Sequence, residues 1–428
     1  MNVKALVDSL QGCPCGKPHQ VNIKAVEIGH GLLAKTAEIL LENDFPREIL
    51  VVADQNTLHA ADGILEILVS GGFHLTTKFY DDLRVADMIY VNELVPLCAK
   101  TKGILAVGSG SLGDICRLAA LIADQEFAIF ATAPSMDGFA SGTSPITENG
   151  FKTTRQARQP SIIIGDTEIL AASPAELKAA GFGDIVAKYT ALADWRVSQL
   201  VTGEHYCEAI AEITRSALRK VSALADHVTD EDEETAGAIM EALVLTGLAM
   251  KLGDSVRPAS GTEHVISHFW EIKKLEKGIL SDYHGKKCCV ATLYAARIYH
   301  AMIACETMSI HEDRTDWADV YRAYGPLFED EVRKLNTPTV TDETTPEIVR
   351  ANWQAICQAV RDEIPTPDLL LDLIRRAGAA SSIEDIAVEH NLGVAGLRYH
   401  PYMRHRMTLM RLIPMTDFVV DYEKVLEG

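Results

Sequence analysis

Within SGTEHVISHFWEIKKLEKGILSDYHG, residues 260–285, the chain sets three imidazoles at spacings that can converge on one cation. His264 and His268 are four residues apart, which in a helix puts both on one face. His284 follows twenty residues after His264, and the apolar spacing of KKCCVATLYAARIYH behind it predicts a buried helix opening just after that histidine. A carboxylate is offered upstream in AGFGDIVAKYTALADW, where Asp184 follows Gly-x-Gly and is expected in the first turn of a helix from about 183 to 200. Two imidazoles and one carboxylate make a three-ligand set that leaves coordination positions open, as a catalytic site needs and a closed structural zinc site does not. Zinc is the first expectation for one divalent metal there, and nickel and ferrous iron tolerate the same donors. Each residue also has an ordinary reading, a satisfied core histidine or a helix-capping aspartate.

A second constellation is glycine-rich. GILAVGSGSLGDICRLAA holds Gly108-x-Gly110-x-x-Gly113 between an expected strand and an expected helix. Such glycines let backbone approach a pyrophosphate, and the helix start supplies oriented N–H groups. The motif departs from the usual dinucleotide fingerprint, because it lies on about the third strand and no acidic residue closes the next one. Asp54, ending VVAD, can supply that carboxylate to an adenosine ribose and would then favour NAD over NADP; its plain alternative is a strand-end turn residue. Further on, ATAPSMDGFASGTSPIT offers Thr132, Ser135, Asp137 and Ser141 for cofactor or substrate contacts, in a loop of the kind that carries ligands at strand C-termini. Cys13-Pro-Cys15-Gly-Lys-Pro-His19 groups three soft ligands within seven residues. Its spacing is not a standard zinc pair, so a minor metal site, a surface turn and packed thiols all stay open.

These residues need positioning elements. From about 20 to 165, strand-like runs (48–54, 74–80, 102–108, 127–134, 160–166) alternate with amphipathic segments such as 58–72, which predicts a parallel sheet covered on both faces. Beyond 168 the strands give way to 3.6-period segments at 174–200, 205–225, 231–251, 262–276, 286–304, 343–362 and 366–378. The expectation is an α/β NAD-binding domain over 1–168 with a Rossmann-like sheet, then an all-α domain over 169–428 for metal and substrate. At 428 residues and 47% hydrophobic content there is enough chain for large cores. A net charge of -20 disfavours nucleic acid or an anionic membrane as partner. The start resembles no secretory signal, no run of about 18 uncharged apolar residues occurs, and the nine cysteines are odd in number and scattered. A soluble cytoplasmic protein is expected, with a homodimer as its assembly.

GSGSLGD, TAPSMDGFAS, GFGDIVAKYTALADW, SGTEHVISHFWE and YHGKKCCVATL, in that order, resemble the glycerol-1-phosphate dehydrogenase family. That family sits within the superfamily of dehydroquinate synthases, glycerol dehydrogenases and iron-containing alcohol dehydrogenases, and the likeness runs from about 25 to 300. It implies a dehydroquinate synthase-like fold in which Asp184, His264 and His284 bind the metal while Asp137 and His268, with Asp184, approach the substrate. It further implies that Asp54, Gly108, Gly110, Ser111, Leu112, Gly113, Asp114, Thr132, Ser135 and Ser141 line the NAD site, with NADP also admitted. Iron-containing alcohol dehydrogenases carry a fourth ligand, a histidine, one turn after the aspartate. Here Lys188 stands there. Dehydroquinate synthases normally use glutamate where this chain has Asp184. The implied reaction is reversible hydride transfer between NADH and dihydroxyacetone phosphate, giving sn-glycerol 1-phosphate, with the cation as Lewis acid and His268 or Asp137 relaying the proton. Lys152, Lys188, Lys286, Arg404 and Arg406 are candidates for the phosphate. A dehydrogenase of unphosphorylated polyols or alcohols would keep the site without a phosphate clamp, and a dehydroquinate synthase-like enzyme or a non-catalytic NAD-binding protein would keep the scaffold.

Overall fold

The computed structural model describes residues 1–148, 151–305 and 308–427. Its packing forms two compact units, Met1–Ile185 with Glu212–Ser255, and Val186–Ala211 with Val256–Gly428.

The first unit is built on β1 (Ala25–Gly29), β2 (Glu48–Asp54), β3 (His74–Tyr80), β4 (Gly103–Gly108), β5 (Glu126–Ala131) and β8 (Ile162–Asp166). They form one sheet in the order β1-β8-β5-β4-β2-β3, and every pairing is parallel. The central strands are near-continuous apolar runs because both faces are covered; β4 is buried along its whole length. Strand β3 lies outside β2, whereas β4 lies on its other side and β5 follows beyond. The strand order therefore reverses between β2 and β4, and the crevice at such a reversal is where open α/β sheets take their ligands.

A long apolar helix, Glu233–Gly253, closes this unit. Its Gly237 lets it approach Thr167 closely, since a Cβ there would stand 3.0 Å from the threonine methyl. By length and composition it could cross a membrane, yet 78% of its most apolar window is buried inside the protein.

Several first-unit elements differ from the sequence expectation. Residues 143–148 and 151–156, part of which reads as loop, pair antiparallel as β6 (Thr143–Glu148) and β7 (Phe151–Gln156). The helix expected over 58–72 is two, Gln55–Ala60 and Ile64–Ser70, parted where Gly63 adopts φ 87°. β1 also has no counterpart in the expectation: it is five residues long and Glu27 is exposed within it.

The second unit is helical, and among the described residues no strand follows Asp166. Lys188–Thr202, Thr262–Glu276, His284–Ile303, Pro346–Glu363 and Pro367–Arg376 are its longer members. Trp195, Trp270, Tyr294 and Tyr299 fill its interior. Gly396 passes flat over the Trp270 indole, where a Cβ would come within 2.1 Å of Nε1. The texture change at 168 thus marks the end of the strands, while the packing divides the chain elsewhere.

Candidate active site

In the second unit the histidines come together. Helix Thr262–Glu276 begins at a tight approach: a Cβ on Gly261 would sit 2.7 Å from Ala191 Cα and 2.9 Å from Asp194 Oδ2. Asp194 Oδ2 accepts from the Thr262 N–H at 2.8 Å, and the Tyr299 hydroxyl donates to Asp194 Oδ1 at 2.7 Å. The start of the helix is therefore pinned before its histidines appear. His264 and His268 both face His284, with ring centroids 5.0 Å and 5.6 Å from it. Ligand atoms of His264, His284 and Cys288 lie within 4.8 Å of one another.

Each ring is oriented from behind. The fully buried Glu263 carboxylate accepts from the Gly261 N–H at 2.7 Å and the Thr190 hydroxyl at 2.5 Å, and its Oε1 is 2.7 Å from His264 Nδ1. A carboxylate on one imidazole nitrogen fixes the tautomer and turns the other nitrogen outward, the usual support of a metal-binding histidine. Burial works against a charge on His264, but the Cys288 sulfur and Glu263 outweigh it and hold the imidazole well above its usual range. A position that favours one positive charge suits a proton or a cation alike. His268 Nδ1 is 3.3 Å from Glu271 Oε2, and Lys287 Nζ is 3.5 Å from that carboxylate. His284 Nε2 is 3.5 Å from Cys288 Sγ, one turn along the same helix. The donors fit a divalent ion: two imidazoles with a thiol beside them and a carboxylate behind one ring.

Asp184 is in the first unit, and the expected helix start is corrected. It stands in the last turn of helix Ala175–Val186, and a new helix begins only at Lys188. Gly181 is mid-helix because the chain there runs against Pro134, where a Cβ would lie 1.8 Å from the carbonyl oxygen. That approach brings the helix beside the loop of Asp137, whose N–H donates to Asp184 Oδ2 at 2.9 Å. Asp184 is completely buried and Asp137 nearly so.

The remaining candidates sit around the reversal point of the sheet. Asp54 and Gly108 end the neighbouring strands β2 and β4. Gly108 has φ 156°, and a Cβ there would strike Leu112 Cδ1 at 2.5 Å and Thr57 Cγ2 at 3.3 Å. Helix Gly110–Ile122 starts two residues later, so its first N–H groups open at this edge. A Cβ on Gly110 would meet only Met136, at 3.8 Å. Asp54 caps the next helix, its Oδ1 accepting from the Thr57 N–H at 2.8 Å. Ser135 Oγ donates to Ser109 Oγ at 3.2 Å, joining the two loops, and Thr132 ends buried just beyond β5. Gly113 packs towards Ile129, and Ser111 Oγ donates to Arg84 O at 3.0 Å. Two candidates have internal duties: Asp114 lies 3.7 Å from Arg117, with burial pushing its carboxyl up to about 6, and Arg117 donates to the carbonyl of Ser141 at 3.1 Å.

The basic candidates differ in setting. Lys286 pairs with Asp282 at 2.9 Å, Lys152 is half-buried on the hairpin, and Lys188 is buried at a helix start. Arg406 donates to the carbonyl and hydroxyl of Ser260, at 2.9 Å and 3.1 Å, four residues before His264. Burial, with Arg257 and Arg404 alongside, pushes its guanidinium down to about 10. Arg257 is balanced by Glu204 at 2.8 Å.

Residues 27–174 match the iron-containing alcohol dehydrogenase family. The glycerol-1-phosphate dehydrogenase [NAD(P)+] of Halalkalibacterium halodurans is 30% identical over 88% of this chain and 91% of its own length. The chain belongs to the glycerol-1-phosphate dehydrogenase family. A Bacillus subtilis glycerol-1-phosphate dehydrogenase is 31% identical over 88% of the chain and 87% of its own, and one from the archaeon Methanosarcina barkeri is 34% identical over 63% and 74%. The dehydroquinate synthase-like, iron-containing alcohol dehydrogenase fold extends further. A glycerol dehydrogenase from Schizosaccharomyces pombe superposes with a TM-score of 0.62 at 14% identity, covering 95% of this chain and 87% of that one. Two residues beside the glycerol-1-phosphate dehydrogenase histidines escape a sequence reading centred on imidazoles, Glu263 and Cys288. The signals were present: Glu263 directly precedes His264, and Cys288 follows His284 by one helical turn.

Proposed function

We propose that the chain catalyses the reversible reduction of dihydroxyacetone phosphate to sn-glycerol 1-phosphate, with NADH preferred to NADPH, where Asp184, His264 and His284 hold one divalent cation. The observation that carries this reading is the convergence of His264, His268 and His284, in a chain 30% identical to a glycerol-1-phosphate dehydrogenase along nine-tenths of its length. Bound in these places, the cation supplies Lewis-acid stabilisation of charge on the reacting oxygen and NAD(P)H supplies the hydride. Glu263 turns the Nε2 of His264 towards ligation, and the Asp137 N–H donates to Oδ2 of Asp184, which orients that carboxylate. His268, steadied by Glu271, exchanges the proton at the substrate oxygen, with Asp137 as the other candidate. Asp54, at the reversal of the sheet, meets the adenosine ribose, where its charge repels a 2′-phosphate. Helix Gly110–Ile122 receives the pyrophosphate on its first N–H groups. Arg404 and Arg406 take the substrate phosphate, because a buried guanidinium crowded by two others gains most from an anion.

The same reading makes the protein a cytoplasmic homodimer using zinc first, with nickel and iron as working substitutes. NADH oxidation in a metal-reconstitution series, with dihydroxyacetone phosphate and dihydroxyacetone side by side, tests it. Turnover should require metal, and the phosphorylated ketone should win by about 10²-fold or more in kcat/KM. Equal turnover of the two ketones would make this a polyol dehydrogenase, and activity in metal-free protein would remove the metal-centred reading.

A further inference from the structure

We propose that Cys13, Cys15 and His19 bind a second metal ion, of the zinc class, which fastens the amino-terminal segment to the first unit. Their ligand atoms lie within 4.8 Å of one another, although Cys13 and His19 are six residues apart in sequence. The chain folds back to achieve this. The Gly16 N–H donates to the Cys13 carbonyl at 3.2 Å, and Gly16 turns through φ 78°, a left-handed conformation that glycine adopts without strain.

The histidine is prepared as a ligand. Its ring is buried, at 7% exposure, and Nδ1 lies 2.7 Å from the carbonyl oxygen of Leu252, in the last turn of helix Glu233–Gly253. A carbonyl only accepts, so Nδ1 carries the hydrogen and Nε2 the lone pair, the tautomer a metal requires. Nε2 is 3.3 Å from Cys15 Sγ, close to the sulfur-to-nitrogen edge of roughly 3.5 Å that follows from Zn–S near 2.3 Å and Zn–N near 2.0 Å in a tetrahedron. The Lys17 N–H donates to the same sulfur at 3.5 Å and helps to hold it in place. A thiol–imidazole hydrogen bond alone would account for Cys15 and His19, but not for the arrival of Cys13. Two thiolates and an imidazole form a softer set than the oxygen- and nitrogen-rich centre proposed for the reaction, and they select zinc over harder cations. The fourth coordination position takes water or another thiol.

Such a site would act by holding. Its ligands span 13–19, and the imidazole anchors them to a buried helix far along the chain, so bound metal adds to the stability of the folded unit.

The test is zinc content per chain, measured on the full-length protein reconstituted with zinc and desalted, in wild type, His264→Ala and His264→Ala with Cys15→Ser. The single variant, lacking a catalytic-centre ligand, should keep one zinc, and the double variant none. Retention of that zinc in the double variant, or its absence from the single one, overturns the proposal. Misfolding cannot hide the answer, because alkylation of unmutated protein is read in parallel by peptide mapping. Cys13 and Cys15 should be labelled at least about 10-fold more slowly with zinc than after chelation. Equal rates, or a Cys13–Cys15 disulfide in zinc-free protein prepared under reductant, overturn it as well.

Discussion

The glycine-rich edge of the sheet and the histidine helices are built in opposite ways. At the ends of β2 and β4 the chain works by omission, with Gly108 and Gly110 withholding side chains so that backbone N–H groups can be reached. Between helices Thr262–Glu276 and His284–Ile303 it works by provision, each imidazole standing in front of a carboxylate or thiol. Loss of a donor should therefore be abrupt in the second region and graded in the first.

His264→Ala should be the severest change, emptying the catalytic metal centre and lowering kcat by roughly 10³-fold or more while NADH still binds, as metal analysis and cofactor fluorescence titration would register. Normal turnover with the metal gone would break the contrast. His268→Ala should lower kcat by about 10²-fold and keep that metal. Parallel loss of metal and activity would make His268 a ligand. Glu263→Gln should weaken metal affinity by about 10- to 100-fold, because the carboxylate behind His264 becomes a neutral amide; a competition titration with a chromogenic chelator reads it, and an unchanged affinity would reduce Glu263 to a helix-start residue. The mildest change is Asp54→Ser, which should bring the NADH-to-NADPH ratio of kcat/KM closer to unity by several-fold. An unchanged ratio would leave Asp54 with only its capping duty at Thr57.

The same contrast explains what the sequence disclosed. His264 and His268 at a helical interval, with His284 beyond, announced their convergence because a side-chain site needs particular residues at particular spacings. The parallel sheet was legible through its buried apolar strands. Asp184 was singled out as a candidate and its helix misplaced, because the glycines before it resemble a helix start whereas Gly181 answers a contact with Pro134, distant in sequence. The hairpin β6–β7 was obscured because its threonines and serines match loop composition, and β1 because five residues with an exposed glutamate carry little pattern. Arg257 and Glu204 could not be paired from sequence, since their meeting depends on tertiary packing.

The excursion of the chain through 186–211 before it returns as Glu212–Ser255 bears on how the protein is made. During translation, β8 is complete at Asp166, but the long helix that packs beside Ile28 and Thr167 ends only at Gly253. At roughly 5–20 residues per second, the ribosome leaves that apolar surface of the nascent chain uncovered for several seconds. This is the interval in which a chaperone has most to protect.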